Sequence, residues 1–176
     1  MVKRTQKKKI IKDVIFFLIK FNLLLIPFYA IIYFDISFYP LQIAFTNFLA
    51  TVLKLLNYQV STSDFFMFIG ESKYPIDISR DCIGWKSMYS LFALVFATPG
   101  KTKNKLKFLY VWIPVLFVIN IFRVLITLLI GLNFGLQYLE VIHTFFWQEV
   151  MIIALILIWY LWLKKRKLIG SKSNIL

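Results

Sequence analysis

Long apolar runs constrain this sequence more than any other feature. About 20 residues of helix cross a hydrocarbon core of about 30 Å. Four stretches rich in Leu, Ile, Val and Phe approach this length, at about residues 13–34, 83–98, 108–131 and 138–163. The sequence therefore predicts an all-α integral membrane protein with about four transmembrane helices, forming a single membrane domain over residues 1–176. The first run lacks a small-residue cleavage site, so we expect a retained span and not a cleaved signal peptide.

Composition supports this class and excludes others. Hydrophobic residues make up 60% of the chain, and the mean hydropathy is +0.77, whereas soluble domains are about 45–50% apolar. The net charge of +13 is typical of nucleic-acid binding, but the basic residues cluster beside apolar runs and fit anionic lipid headgroups better. No nucleic-acid partner is expected. One His and one Cys cannot fill a zinc site, so no metal or other cofactor is expected.

Two segments between the first two runs have other patterns. Residues 41–58 have helical period, which indicates an amphipathic helix lying in the outer interface. Its polar stripe consists of Gln42, Thr46, Asn47, Thr51, Lys54 and Asn57. Residues 59–80 contain two strand-like pieces, VSTSDFFMFI and KYPIDIS, on either side of Gly70, Glu71 and Ser72. This pattern predicts a small extracytoplasmic hairpin.

The distribution of Lys and Arg predicts the orientation. Residues 1–12, 99–107 and 164–176 hold 15 of the 21 basic residues. Positive charge favours the cytoplasmic side, so both basic tails, 1–12 and 164–176, are expected inside the cell and residues 35–82 outside it. The expected location is the cell membrane, with several spans and both termini cytoplasmic.

In this topology three chemically distinctive residues lie at the outer side. Cys82 is at the outer end of the second span. Arg123 lies roughly 12 Å below the outer end of the third span, and His143 roughly 8 Å into the fourth, at the rise of an α-helix. A charge at such a depth is costly unless paired or wetted, and an intramembrane Arg indicates a functional site by default. Each residue alone has a structural explanation, but their matched depth favours function.

The surroundings of Cys82 suggest a reactive thiol. Asp81 is a good N-cap residue, and Cys82 would then be the first helical residue, where free amides favour the thiolate. Burial in apolar surroundings would oppose this by raising the pKa of the thiol. Gly84 leaves the backbone uncovered, so that a substrate carbonyl could approach amides of the same turn. The Cys-x-Gly pattern alone is a weak signal.

A mechanism follows as a hypothesis. Cys82 attacks a carbonyl and forms a thioester, while His143 moves protons as general base and acid. Arg123 stabilises the oxyanion or orients the scissile peptide. Asn120 is three residues before Arg123 and on the same helix face, where it orients the substrate or Arg123, or makes an interhelical contact. An active site at the outer face is expected.

Two acids of the last span are assigned less firmly. Glu140 is three residues before His143 and either fixes its imidazole or is an interfacial acid. Glu149 is deeper and points away from His143, so a structural pairing is favoured, with Lys20 as one partner.

The Cys, Arg and His stretches together resemble the exosortase/archaeosortase family of membrane cysteine transpeptidases. The resemblance covers roughly residues 75–163. It is found in the Cys-x-Gly start, the Asn-x-x-Arg pattern and the His of the last span, within DISRDCIGWKSMYSLFALVFATPG, VINIFRVL and EVIHTFFWQEVM.

The resemblance implies an activity and partners. Members of the exosortase/archaeosortase family recognise a C-terminal sorting signal on exported proteins. This signal is made of a short motif, a transmembrane helix and a basic cluster. They cleave near the motif and pass the acyl group to an acceptor such as a membrane lipid. By carry-over, Cys82 is the nucleophile, Arg123 the stabiliser and His143 the acid/base partner. Larger members have about twice as many spans as this chain.

Two other functions remain open from the sequence. A protease would form the same thioester and resolve it with water. A non-enzymatic membrane protein, such as an assembly factor or small transporter, would use Arg123, His143 and Glu149 as a polar relay between helices. That function predicts no effect of replacing Cys82.

Overall fold

The computed structural model describes residues 2–69, 75–135 and 147–172, and this part of the chain is mostly helical. Its elements, in chain order, are α1 (Val2–Tyr33), α2 (Tyr39–Leu55), β1 (Val60–Ser63), β2 (Phe66–Ile69), β3 (Ile76–Asp77), a 3-10 helix (Arg80–Ile83), α3 (Trp85–Ala97), α4 (Thr102–Phe134) and α5 (Trp147–Lys172).

Two of the described helices are long and apolar enough to cross a membrane. They are the Ile11–Tyr33 part of α1 and the whole of α4. The apolar part of α1 has none of its side chains buried, and Phe16, Leu23 and Ile26 are more than half exposed. Exposed apolar side chains on such a helix fit contact with lipid, where the helical backbone satisfies its own hydrogen bonds.

The second predicted span differs from the helix that the structure contains. We expected a helix over residues 83–98, but α3 starts at Trp85 and has 13 residues, about 20 Å in length. This is shorter than a hydrocarbon core of about 30 Å. The start is displaced because Gly84 adopts φ +80° and ends the 3-10 helix. For the last span, predicted at 138–163, residues 136–146 lie outside the described part. Four spans therefore remain a prediction.

The described chain divides into two compact units. One unit takes in α1, most of α3, the first half of α4 and most of α5. In it, the Tyr89 hydroxyl donates to the carbonyl of Leu24 at 2.8 Å, and the indole of Trp162 donates to the Thr98 hydroxyl at 2.7 Å. These bonds satisfy polar groups among apolar helices, where an unsatisfied group is costly.

The second unit contains α2, the three strands, the 3-10 helix and α4 from Phe117 onward. Its core includes apolar side chains that are completely buried, among them Leu49, Leu53, Met67 and Ile83. The buried residues of α2 recur at helical spacing and form one side of it, as expected of an amphipathic helix. Two residues of the predicted polar stripe, Gln42 and Thr46, lie on that buried side, and the Thr46 hydroxyl bonds to the carbonyl of Gln42 at 2.9 Å. Location in the membrane interface remains a prediction.

The strands form one antiparallel sheet in the order β1–β2–β3. Met67 of β2 pairs with both Thr62 of β1 and Ile76 of β3. The sequence predicted a single strand for VSTSDFFMFI, but this piece is itself a hairpin. It turns at Asp64, whose φ is +56°, a conformation that Asp tolerates better than most residues. The β2–β3 connection includes residues 70–74, outside the described part.

Candidate active site

Cys82 lies in the short segment that joins β3 to α3. It is buried, with 7% of its surface exposed, and it is the third residue of the 3-10 helix that Ser79 precedes as N-cap residue. The expected arrangement, with Asp81 as N-cap and Cys82 first in the long helix, is therefore wrong. Gly84 separates the two helices, so the thiol precedes α3 by three residues.

Asp81 stabilises this junction in another way. Its carboxylate accepts a hydrogen bond from the indole Nε1 of Trp85 at 3.3 Å and pairs with the Nζ of Lys86 at 2.6 Å. Both partners belong to the first turn of α3. The acid therefore ties the 3-10 helix to the start of α3, one residue from the thiol.

Asn120 of α4 holds the backbone at Cys82. Its amide Nδ2 donates to the carbonyl oxygen of Cys82 at 2.7 Å, and the residue is 1% exposed. The same amide lies against Gly84, where an added Cβ would stand 2.6 Å from the Asn120 Cγ. Only glycine has room there and adopts φ +80° without strain. The structure thus gives Gly84 a packing role against Asn120; contact of Gly84 or Asn120 with substrate remains a prediction.

We expect Gly84→Ala to destabilise this junction. The left-handed backbone alone costs about 1–2 kcal/mol for an L-residue, and the methyl group would collide with a buried amide. Thermal unfolding of the purified protein should show a lower midpoint.

Gly100→Ala is the matched control for that measurement. Gly100 also has a positive φ, +150°, but its nearest neighbours to an added Cβ lie at 3.8 Å. A larger loss of stability in Gly84→Ala than in Gly100→Ala would isolate the collision with Asn120. Equal losses would mean that backbone strain alone requires the glycine.

Arg123 lies one helical turn beyond Asn120. It is 9% exposed, and its carbonyl accepts a bond from the Thr127 hydroxyl at 2.9 Å. Within the described part of the chain, neither the Arg123 Nε nor the Asn120 Oδ1 has a hydrogen-bond partner, although both atoms are buried. Buried polar atoms without partners are uncommon and call for an explanation. Here one unpaired donor and one unpaired acceptor lie on successive turns of α4, the helix whose Asn120 bonds to the Cys82 backbone.

The surroundings of the thiol act on it in opposite directions. Burial raises the pKa of Cys82, while a contact with the Ser79 hydroxyl and the positive charge of Arg123 each lower it. Burial has the largest effect, so the pKa stays above its ordinary value. The thiol is therefore protonated at neutral pH and needs a base before it acts as a nucleophile.

Sequence reasoning did not identify Ser79. Its Oγ lies 3.5 Å from the Cys82 Sγ. The signal was present, since the two residues are three apart and side chains at this spacing align in a 3-10 helix. It was missed because an α-helix starting at Cys82 would have left Ser79 outside the element.

The remaining candidates are placed less completely. His143 and Glu140 lie outside the described residues, so their predicted roles are untested. Glu149 is exposed near the start of α5, and its pairing with Lys20 remains a prediction. Among the described residues, no three His, Cys, Asp or Glu side chains lie together as metal ligands do.

The described groups lie together at one junction. The thiol of Cys82 is buried, Asn120 bonds to the backbone carbonyl of Cys82, and Arg123 lies one turn further along the same apolar helix. A thiol and a buried cation are the kinds of group that cysteine-dependent acyl transfer uses.

Comparison with known proteins identifies the family. A family model described as transmembrane exosortase (Exosortase_EpsH) matches residues 11–161. The match covers most of the chain, including Cys82, Asn120, Arg123 and His143, and the chain therefore belongs to the transmembrane exosortase family. The resemblance read from the sequence is confirmed. Membership of this family supports, in general terms, a role as a membrane transpeptidase. No curated protein and no solved structure matches the chain.

Proposed function

We propose that this protein is a membrane-embedded cysteine transpeptidase. In this proposal it cleaves the C-terminal sorting signal from an exported protein. It then transfers the remaining protein, through its acyl group, to an acceptor such as a membrane lipid. The observation that carries the proposal is the Asn120–Cys82 hydrogen bond, because it fixes the backbone that carries the only cysteine of the chain against the helix that bears the buried Arg123.

The first chemical step forms a thioester. His143 takes the proton of the Cys82 thiol, and Sγ bonds to the carbonyl carbon of the scissile peptide while the carbonyl electron pair moves to oxygen. Collapse of this intermediate breaks the C–N bond, and His143 returns its proton to the leaving amine. The raised pKa of Cys82 supports the need for such a base.

The second step transfers the acyl group. A hydroxyl or amine of the acceptor attacks the thioester carbon, the C–S bond breaks, and the acceptor's proton passes through His143 to the departing sulfur. Water in place of the acceptor would give hydrolysis and make the protein a protease. The two outcomes differ only in which nucleophile reaches the thioester.

Arg123 suits the role of oxyanion stabiliser. Its positive charge acts on Cys82, it is buried, and its Nε is an unpaired donor within the described residues. A preorganised cation in a site that excludes water acts on developing negative charge more strongly than it would in water. The donor at Arg123 and the acceptor at Asn120 Oδ1 complement the C=O and N–H of a peptide backbone.

We test the proposal by capturing the acyl-enzyme. Membranes containing the full chain are incubated with tagged exported proteins that end in an apolar helix and a basic cluster, and the enzyme is analysed by intact mass spectrometry. Because the chain has one cysteine, a hydroxylamine-sensitive adduct identifies Cys82. We expect this adduct in the wild type and less of it in His143→Ala, because the protonated thiol needs the base before it attacks.

The released product decides the reaction class. A product heavier than the hydrolysed protein by the mass of a membrane lipid or another acceptor, less one water, supports transpeptidation, whereas a product with a free carboxylate indicates a protease. Processing with no adduct on Cys82, and no effect of its replacement, would contradict the thiol mechanism. The non-enzymatic relay of Arg123, His143 and Glu149 would then be favoured.

A further inference from the structure

Ser79 has an unusual position for an N-cap serine. An N-cap serine commonly accepts a hydrogen bond from the amide of the second or third residue of its helix, and Cys82 is that third residue. In this structure the Cys82 amide instead donates to the carbonyl of Ser79 at 3.0 Å, and the Ser79 side chain makes no capping bond. Its hydroxyl lies 3.5 Å from the Cys82 Sγ. The side chain is therefore directed to the thiol and not to the helix end.

The chemistry of this contact depends on the state of the sulfur. With a neutral thiol either atom can donate, since both carry a hydrogen. Once the proton has left, the sulfur only accepts, and the Ser79 O–H becomes the donor. A hydrogen bond to an ionised group is stronger than one between neutral groups. The contact therefore gains strength as the nucleophile forms.

We propose that Ser79 is a positioning residue for the nucleophile: its hydroxyl orients the Cys82 sulfur and donates to the thiolate. The inference rests on the proposed role of Cys82 as nucleophile. The same hydroxyl is the strongest of the contacts that offset the effect of burial on the thiol. The hydroxyl supplies a hydrogen bond in place of those that water would give, since a buried thiolate has few water molecules to stabilise it.

The test measures the reactivity of the thiol without any substrate. Full-length protein in lipid nanodiscs is alkylated with iodoacetamide across about pH 6 to 10, and the rate is followed by intact mass. Every adduct reports on Cys82, because the chain has one cysteine. We expect Ser79→Ala to move the midpoint to higher pH and lower the neutral-pH rate about three- to tenfold.

Two further variants make the result specific. Ser79→Thr retains the hydroxyl and should keep the wild-type profile. Ser63→Ala, at an exposed serine of β1, should leave the profile unchanged. Should the alanine variant not be recovered folded, Ser79→Gly also lacks the hydroxyl and gives the same comparison.

A wild-type midpoint in folded Ser79→Ala would overturn the inference, as would equal shifts in the Thr and Ala variants. A shift in Ser63→Ala would also overturn it, since the profile would then not report on the hydroxyl. Alkylation needs neither substrate nor acceptor, so failure of the proposed transpeptidase activity would be seen separately, in the acyl-enzyme assay.

Discussion

Replacing Cys82 by alanine is expected to abolish processing, lowering its rate by about three orders of magnitude or more. Alanine fills most of the volume of a buried small side chain but has no nucleophilic atom. The Asn120 bond to the backbone of residue 82 does not use the side chain and should survive. The fold should therefore be retained while thioester formation becomes impossible.

The measurement is the rate at which a tagged exported protein with an apolar C-terminal helix loses that helix in cells. Cys82→Ser serves as a second variant, because it keeps the size and the contact with Ser79 but provides a much weaker nucleophile at neutral pH. Size-exclusion profiles and thermal midpoints of both variants establish folding. Processing at the wild-type rate in a folded Cys82→Ala protein would favour the polar relay and exclude a thioester.

Removal of the charge at Arg123 is the second substitution expected to have a severe effect. We expect Arg123→Gln to lower kcat/KM for processing by about 100- to 1000-fold, the range found when one oxyanion donor is removed. It should also move the alkylation profile of Cys82 to higher pH. A nearby positive charge favours the thiolate and lowers the pKa of Cys82, so loss of that charge raises it.

Thr127→Val is the control for changes in the packing of α4. Thr127 is buried one turn further along, and its hydroxyl bonds to the carbonyl of Arg123. Valine matches its shape and leaves the guanidinium in place, so near-normal processing is expected. Wild-type kcat/KM in folded Arg123→Gln would remove Arg123 from the reaction. A loss as large in Thr127→Val would attribute the effect to the helix and not to the charge.

The pattern of apolar runs predicted most of the helices, because membrane-spanning segments are set by local composition. Helical period located α2, which begins at Tyr39 and not at residue 41. The same reasoning failed at residues 80–85. There the chain forms a 3-10 helix, a left-handed glycine and only then α3. The apolar content of residues 80–85 does not distinguish these three conformations from one continuous helix, because the interruption at Gly84 is imposed by packing against α4.

The candidate site shows the same division. Cys82 and Arg123 could be selected from the sequence because they are rare: one is the only cysteine of the chain, and the other is a charge in an apolar run. Asn120 was noticed from its spacing to Arg123, and an interhelical contact was one of its expected roles, but its partner, the Cys82 carbonyl, was not predicted. Ser79 was not noticed at all. Their roles depend on which atoms meet, and spacing alone does not determine that.

The sequence by itself determined that this is a helical membrane protein, that it has one thiol, and that its apolar third run carries an arginine. These follow from residue chemistry and from the thickness of a bilayer. Only the tertiary structure showed that Asn120 reaches the Cys82 carbonyl across 38 residues of chain. It also showed that position 84 requires glycine because the Asn120 amide lies against it. Such contacts form only when α4 packs on the segment before α3, and no local pattern records that packing.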